Sequence, residues 1–192
     1  IGGGVIVDGR LMRGASWMGG EVGHISIDPD GPLCNCGMRG CYEAFCGGRA
    51  IAQRLQRELA DKPDSAIVRL AGSLENVDLK SFYAACKEGD SYALKVWDEM
   101  MERNAQAIGA LLNIFNPNVV VLGTIAIHCA DLFMPPLLER LPRYAWKPMI
   151  DACRIETGRL GSQLGEYAGA CVALYALYER GEWSLPWQEF QA

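Results

Sequence analysis

Residues 21–43, EVGHISIDPDGPLCNCGMRGCYE, place one of the chain's two histidines and three of its eight cysteines in one loop-sized stretch bracketed by glutamates. His24, Cys34, Cys36 and Cys41 are four good donors for a tetrahedral ion, and zinc takes Cys and His in closed structural sites. Asp30-Gly31-Pro32 before the first cysteine, and Gly37 and Gly40 between the others, give the backbone the turns a wrapping loop needs. The C-x-C-x4-C spacing is not a common zinc-finger spacing, so other readings stand beside the metal. The cysteines are equally readable as unligated buried thiols, which pack as small hydrophobes, or as disulfide partners in an oxidising compartment. His24 opens the alternating run His24-Ile25-Ser26-Ile27, which predicts a strand start and allows an ordinary core histidine. By themselves Glu21 and Glu43 read as solvated carboxylates.

Glu21-Val22-Gly23-His24, followed by Cys34-Asn35-Cys36-Gly37-Met38-Arg39-Gly40-Cys41-Tyr42-Glu43, resembles the signature of the ROK family (repressors, open reading frames, sugar kinases). E-x-G-H and C-x-C-G-x-x-G-C-x-E occur together, in order and at family spacing. The resemblance favours zinc on His24, Cys34, Cys36 and Cys41.

At 192 residues the chain fits one domain with a sizeable core. Half its residues are hydrophobic and 21% are charged, ordinary for a soluble globular protein. A formal charge of −5 with no basic block argues against nucleic-acid binding through this part. The longest apolar stretches, 119–127 and 168–178, are too short to span a bilayer, and no secretory leader opens the chain. Cys46, Cys86, Cys129, Cys153 and Cys171 show no disulfide-framework spacing, so the expected location is the cytoplasm.

Ile1-Gly2-Gly3-Gly4-Val5 opens the chain with glycines that let backbone amides approach a phosphate closely; a flexible terminus is the plainer reading. Residues 5–12 predict a hairpin turning at Asp8-Gly9. A helix is expected from Glu43 through Ile51, Leu55 and Leu59 until Lys62-Pro63-Asp64, and 64–75 is weakly patterned. Asp78 is placed to cap a helix through Lys87, and Gly89-Asp90 to close it and cap the next. That next helix carries Ala93, Val96, Trp97, Met100, Ile108, Leu111, Leu112 and Phe115 as one apolar stripe. Val119-Val120-Val121-Leu122 predicts a strand buried on both faces. A helix over 130–141 must take Pro135-Pro136 in or near its first turn. A strand over 149–156 and a last helix over 166–180 follow, before a polar, tryptophan-containing tail with no assigned role.

This order fits a layered α/β domain. The resemblance implies more: an actin-like (ribonuclease H-like) lobe, the C-terminal half of a two-lobed ROK protein. The whole of 1–192 would be that lobe, with a zinc loop over 24–43 and the N-terminal lobe absent. The family's D-x-G-G-T phosphate loop and its catalytic Asp would lie upstream of Ile1, so no catalytic residue is assigned. Glu21, His24 and Glu43 would bind a hexose or amino sugar, His24 serving zinc with one ring nitrogen and sugar with the other. Gly2, Gly3, Gly4 and Gly123 would belong to the nucleotide site, with ATP and Mg²⁺ expected only with the missing lobe. Two positions depart from the family pattern: Gly123-Thr124-Ile125 stands where two or three glycines are frequent, and Gly47-Gly48 where Ser-Gly is. The implied activity is ATP-dependent hexose phosphorylation by the full-length, homo-oligomeric protein, the chain alone being inactive. The effector lobe of a ROK repressor and a zinc-stabilised domain without sugar binding are the alternatives. Leu174 and Leu177 would present an exposed apolar face.

Overall fold

A computed structural model describes residues 1–183 of the chain; the tail beyond them lies outside the described residues. The fold is mixed α/β and divides into two compact units, 1–120 with 131–154, and 121–130 with the residues from 155 onward. Among the described residues no helix is long and apolar enough to cross a membrane.

The first unit opens with a short hairpin. β1 (Ile6–Val7) pairs antiparallel with β2 (Arg10–Leu11), Ile6 facing Leu11 and Val7 facing Arg10. Asp8 and Gly9 both take positive φ, 51° and 74°, as a two-residue turn matching the strand twist requires. A 3-10 turn at Val22–His24 precedes the cysteine loop, so His24 ends a helical turn and does not start a strand.

The helix expected from Glu43 onward is two: α1 (Tyr42–Cys46) and α2 (Gly48–Glu58), parted by Gly47 in extended conformation. The weakly patterned stretch contains α3 (Ala66–Ala71), which buries Ile67 and Val68 and stops at Gly72 with φ 82°. α4 (Leu79–Lys87) begins with a capping box: Asp78 Oδ1 accepts from the Ser81 amide at 2.8 Å, and Ser81 Oγ accepts from the Asp78 amide at 3.1 Å. Asp90 caps α5 (Ser91–Phe115) by accepting from the Ala93 amide at 2.8 Å.

α5 is the spine of this unit. Its Val96, Met100, Met101 and Leu112 are fully buried together with Ile51, Leu55, Leu59, Ile67, Phe82, Leu137 and Leu141. Phe82 and Trp97 meet ring to ring at 5.5 Å and 50°. α7 (Ala130–Arg140) carries Pro135 and Pro136 in its interior, not its first turn. Pro136 has no N–H for the carbonyl of Leu132 four residues back. That carbonyl instead accepts from the Trp97 indole at 3.0 Å, which offsets the lost helical bond.

The strand expected over 149–156 is helical over 149–151: α8 (Lys147–Asp151) carries Pro148 in its first turn, and only β4 (Arg154–Thr157) is extended. β4 pairs with β3 (Val119–Leu122). The Arg154 amide donates to Asn118 O at 3.0 Å and the Gly158 amide to Leu122 O at 2.8 Å. Donor and acceptor advance together, the mark of parallel pairing. β3 is not buried on both faces: Val119 and Val121, on one face, are 38% and 61% exposed, while Val120 and Leu122, on the other, are half-buried.

The second unit holds α6 (Ile125–His128) and α9 (Leu164–Glu179). Leu174 is exposed and Leu177 half-buried.

Candidate functional site

The cysteine loop is a tight hairpin-like structure. The Tyr42 amide donates to Ile25 O at 2.9 Å and the Ile27 amide to Gly40 O at 2.9 Å, zipping residues 25–27 to 40–42. The Cys34 amide donates to Met38 O at 2.8 Å, and the Gly37 amide returns to Cys34 O at 2.9 Å, so the thiol-bearing tip curls on itself. Gly40 is irreplaceable here: its φ is 69°, and an added Cβ would lie 1.5 Å from Asp28 O.

This backbone converges His24, Cys34, Cys36 and Cys41, whose four donor atoms all lie within 4.8 Å of one another. Cys34 Sγ is 3.7 Å from His24 Nδ1, and Cys36 Sγ is 3.6 Å from Cys41 Sγ. A tetrahedron with Zn–S bonds of about 2.3 Å has edges of about 3.8 Å, so the spacing suits a single ion. Burial pushes the Cys41 thiol up to about 12, with the thiols of Cys36 and Cys34 adding to the rise. The exposed Cys36 thiol is held below its ordinary value, chiefly by the Met38 backbone. Three sulfurs this close cannot all ionise without a cation among them. Donor set and geometry therefore fit zinc, which His24, Cys34, Cys36 and Cys41 would hold.

His24 turns its other face outward. Its Nε2 lies 3.8 Å from a carboxylate oxygen of Glu21, whose side chain is half exposed. Glu43, in the first turn of α1, accepts from the amino group of Ile1. Ile1 also packs on the histidine's own turn, since a Cβ at Gly23 would lie 2.1 Å from Ile1 O. Glu21, His24 and Glu43 thus all border Ile1 or the Val22–His24 turn.

The glycines fall in two places. Gly3 packs against the Gly20 carbonyl and the Val22 side chain, and a Cβ on Gly20, whose φ is 98°, would lie 2.5 Å from Gly3 O. This close approach is a structural reason for Gly3; Gly2 meets nothing within 4 Å and Gly4 only Leu11. Gly123, in the second unit, borders a cleft of about 390 Å³ with Val121, Ile127, Gly158, Arg159, Leu160 and Gly161. Ile127 lines it, and Ile125 does not. Thr124 beside it takes φ 42°, an uncommon conformation for a β-branched residue. A larger cleft of about 570 Å³ in the first unit is lined by paired groups: Arg54 with Glu99, Arg103 with Gln106, Tyr144 with Glu102.

Sequence reasoning missed the residues that hold the loop. Arg103 donates to Asp28 at 2.9 Å and covers the Phe45 ring at 4.5 Å. Gln106 donates to Ile27 O at 2.7 Å, and Asn104 accepts from the Tyr42 hydroxyl at 2.6 Å. One signal was available: the spacing 100, 104, 108 puts Asn104, a polar residue, in the middle of the apolar stripe of α5.

The model of the ROK family matches residues 1–175. A glucokinase of Thermotoga maritima is 34% identical over 94% of this chain and 56% of its own length. A xylose repressor of Caldicellulosiruptor bescii is 31% identical over 83% of this chain and 40% of its own length. The structure of a ROK glucokinase from Streptomyces griseus, in complex with glucose and AMPPNP, superposes with a TM-score of 0.73 at 26% identity, over 89% of this chain and 56% of that one. The chain spans about half the length of the glucokinases it matches. By the extent of the family match and by these likenesses, the chain belongs to the ROK family.

Proposed function

We propose that this chain is the C-terminal, sugar-binding lobe of a ROK hexose kinase, built on an actin-like fold and stiffened by one structural zinc. The observation that carries this reading is the two-faced placement of His24, with Nδ1 beside Cys34 and Nε2 toward Glu21. Zinc bound there supplies no catalysis; it fixes which ring nitrogen carries the proton and where the ring points. His24 Nε2–H then donates to a sugar hydroxyl, while Glu21 and Glu43 accept from others. Each carboxylate offers two oxygens and several lone pairs to vicinal hydroxyls.

In the whole protein the sugar hydroxyl would attack the terminal phosphate of ATP and displace ADP; a carboxylate base outside this chain would take the proton, and Mg²⁺ bound to the phosphates would spread the charge. Such transfer depends chiefly on positioning and electrostatics. Gly123 is proposed to border adenosine, and Gly2, Gly3 and Gly4 to offer backbone amides to phosphate oxygens. The likeness to a xylose repressor supports a second reading, the effector lobe of a ROK regulator, which would bind a sugar through the same residues.

Calorimetric titration of the zinc-loaded chain with glucose, N-acetylglucosamine and mannose tests the shared claim. Saturable heat is expected with at least one sugar; none with all three would leave a zinc-stabilised domain without sugar binding. Phosphorylation of a hexose by these residues alone would contradict the placement of the base elsewhere.

A further inference from the structure

The pair Tyr42–Asn104 has no place in the chemistry above, yet Tyr42 lies between a cysteine of the metal-binding group and a proposed sugar ligand, Cys41 and Glu43. Asn104 is 4% exposed and Tyr42 7%. The Tyr42 hydroxyl donates to Asn104 Oδ1 at 2.6 Å, and Asn104 Nδ2 donates to Met100 O at 2.8 Å. Replacing both members of such a buried pair by apolar residues of like shape is close to neutral for stability, so stability alone does not explain it. What a buried polar pair can supply is a unique register.

α1 needs one. It is five residues long, and Cys41 gives it no side-chain cap. So short a helix has no orientation of its own in water. Tyr42 and Cys46, four apart on one side of α1, both reach α5: the Cys46 thiol donates to Met100 O at 3.5 Å. Glu43 follows Tyr42 by one helical step, so any rotation of α1 on α5 swings the carboxylate relative to Glu21 and His24. Hydrogen bonds weaken steeply once distance and angle leave their ordinary range, so a small swing of the carboxylate lowers its grip on a hydroxyl.

We propose that Tyr42 and Asn104 form a positioning pair that sets the rotation of α1 on α5 and thereby aims Glu43 at the sugar. This deepens the reading of Glu43 as a sugar ligand and rests on it. The test is the double variant Tyr42→Phe/Asn104→Leu of the zinc-loaded chain, which removes both polar partners while keeping core volume. Expected are one zinc per chain, a melting temperature within a few degrees of the parent, and hexose affinity weakened about tenfold. Amide exchange over Tyr42–Cys46 should speed up about tenfold while that of α5 stays unchanged. Unaltered hexose affinity, or loss of zinc with a collapse in melting temperature, would overturn the proposal. If the parent chain binds no hexose, the sugar reading fails first, and the exchange rates of α1 alone then decide whether the pair sets its register.

Discussion

The two units of this chain treat their apolar residues in opposite ways. In the first, Leu55, Phe82 and Leu112 are sealed from solvent, and the loop over 25–42 has backbone bonds at both its zipped limbs and its tip. In the second, Val121, Val172 and Leu174 are 61%, 72% and 39% exposed. α9 is apolar on nearly every side, from Ala168 through Leu177. A helix of that kind is written for burial. The contrast teaches that the first unit's core is closed by its own residues, whereas α9 and the end of β3 leave apolar side chains exposed.

Cysteine substitutions are the harshest way to test that difference. Cys36→Ser should lower the zinc content well below one per chain and drop the melting temperature sharply, because structural zinc contributes folding energy directly. Cys171→Ser, at an exposed position of α9, should change neither quantity. Equal effects from the two substitutions would erase the distinction.

Leu112→Ala, in the sealed face of α5, should cost about 2–5 kcal/mol in denaturant unfolding. A cost under about 1 kcal/mol would mean that the first unit's core is looser than its burial implies.

Glu43→Gln should leave unfolding nearly unchanged and weaken hexose binding by about 1.5–3 kcal/mol, the range for a hydrogen bond to a charged group. Calorimetry reads this directly, and undiminished affinity would remove Glu43 from the site. The smallest effect is expected for Val172→Ser, within about 0.5 kcal/mol of the parent, as for other exposed positions. A larger loss would show that α9 is already covered in solution.

Where local chemistry dictated the outcome, the sequence was readable. Asp78 and Asp90 have no better use than capping, Asp8-Gly9 is suited to a turn with positive φ, and the spacing of α5 admits one buried face. The grouping of His24 with the three cysteines was also legible, since four soft donors in one glycine-rich stretch have few arrangements.

Other features depended on tertiary contacts. α3 is too short to show a period and is held by burying Ile67 and Val68. Gly47 parts α1 from α2 because a side chain there would meet Glu43 O at 2.7 Å. Pro135 and Pro136 sit inside α7 with a distant tryptophan taking up the carbonyl that Pro136 leaves unbonded. The exposure of β3 reflects which neighbours surround it, and a run of valines cannot report that. Asn104 was hidden for the opposite reason: an apolar stripe invites the reader to pass over its one polar member.

The central claim is that one metal-bound loop orients the sugar-binding groups. Its most direct measurement is a hexose titration on the same sample before zinc removal, after removal with a chelator, and after zinc is restored. The account predicts one zinc per chain, binding lost on removal and recovered on return. Undiminished binding in the zinc-free chain, or no metal in the protein as purified under non-denaturing conditions, would contradict it.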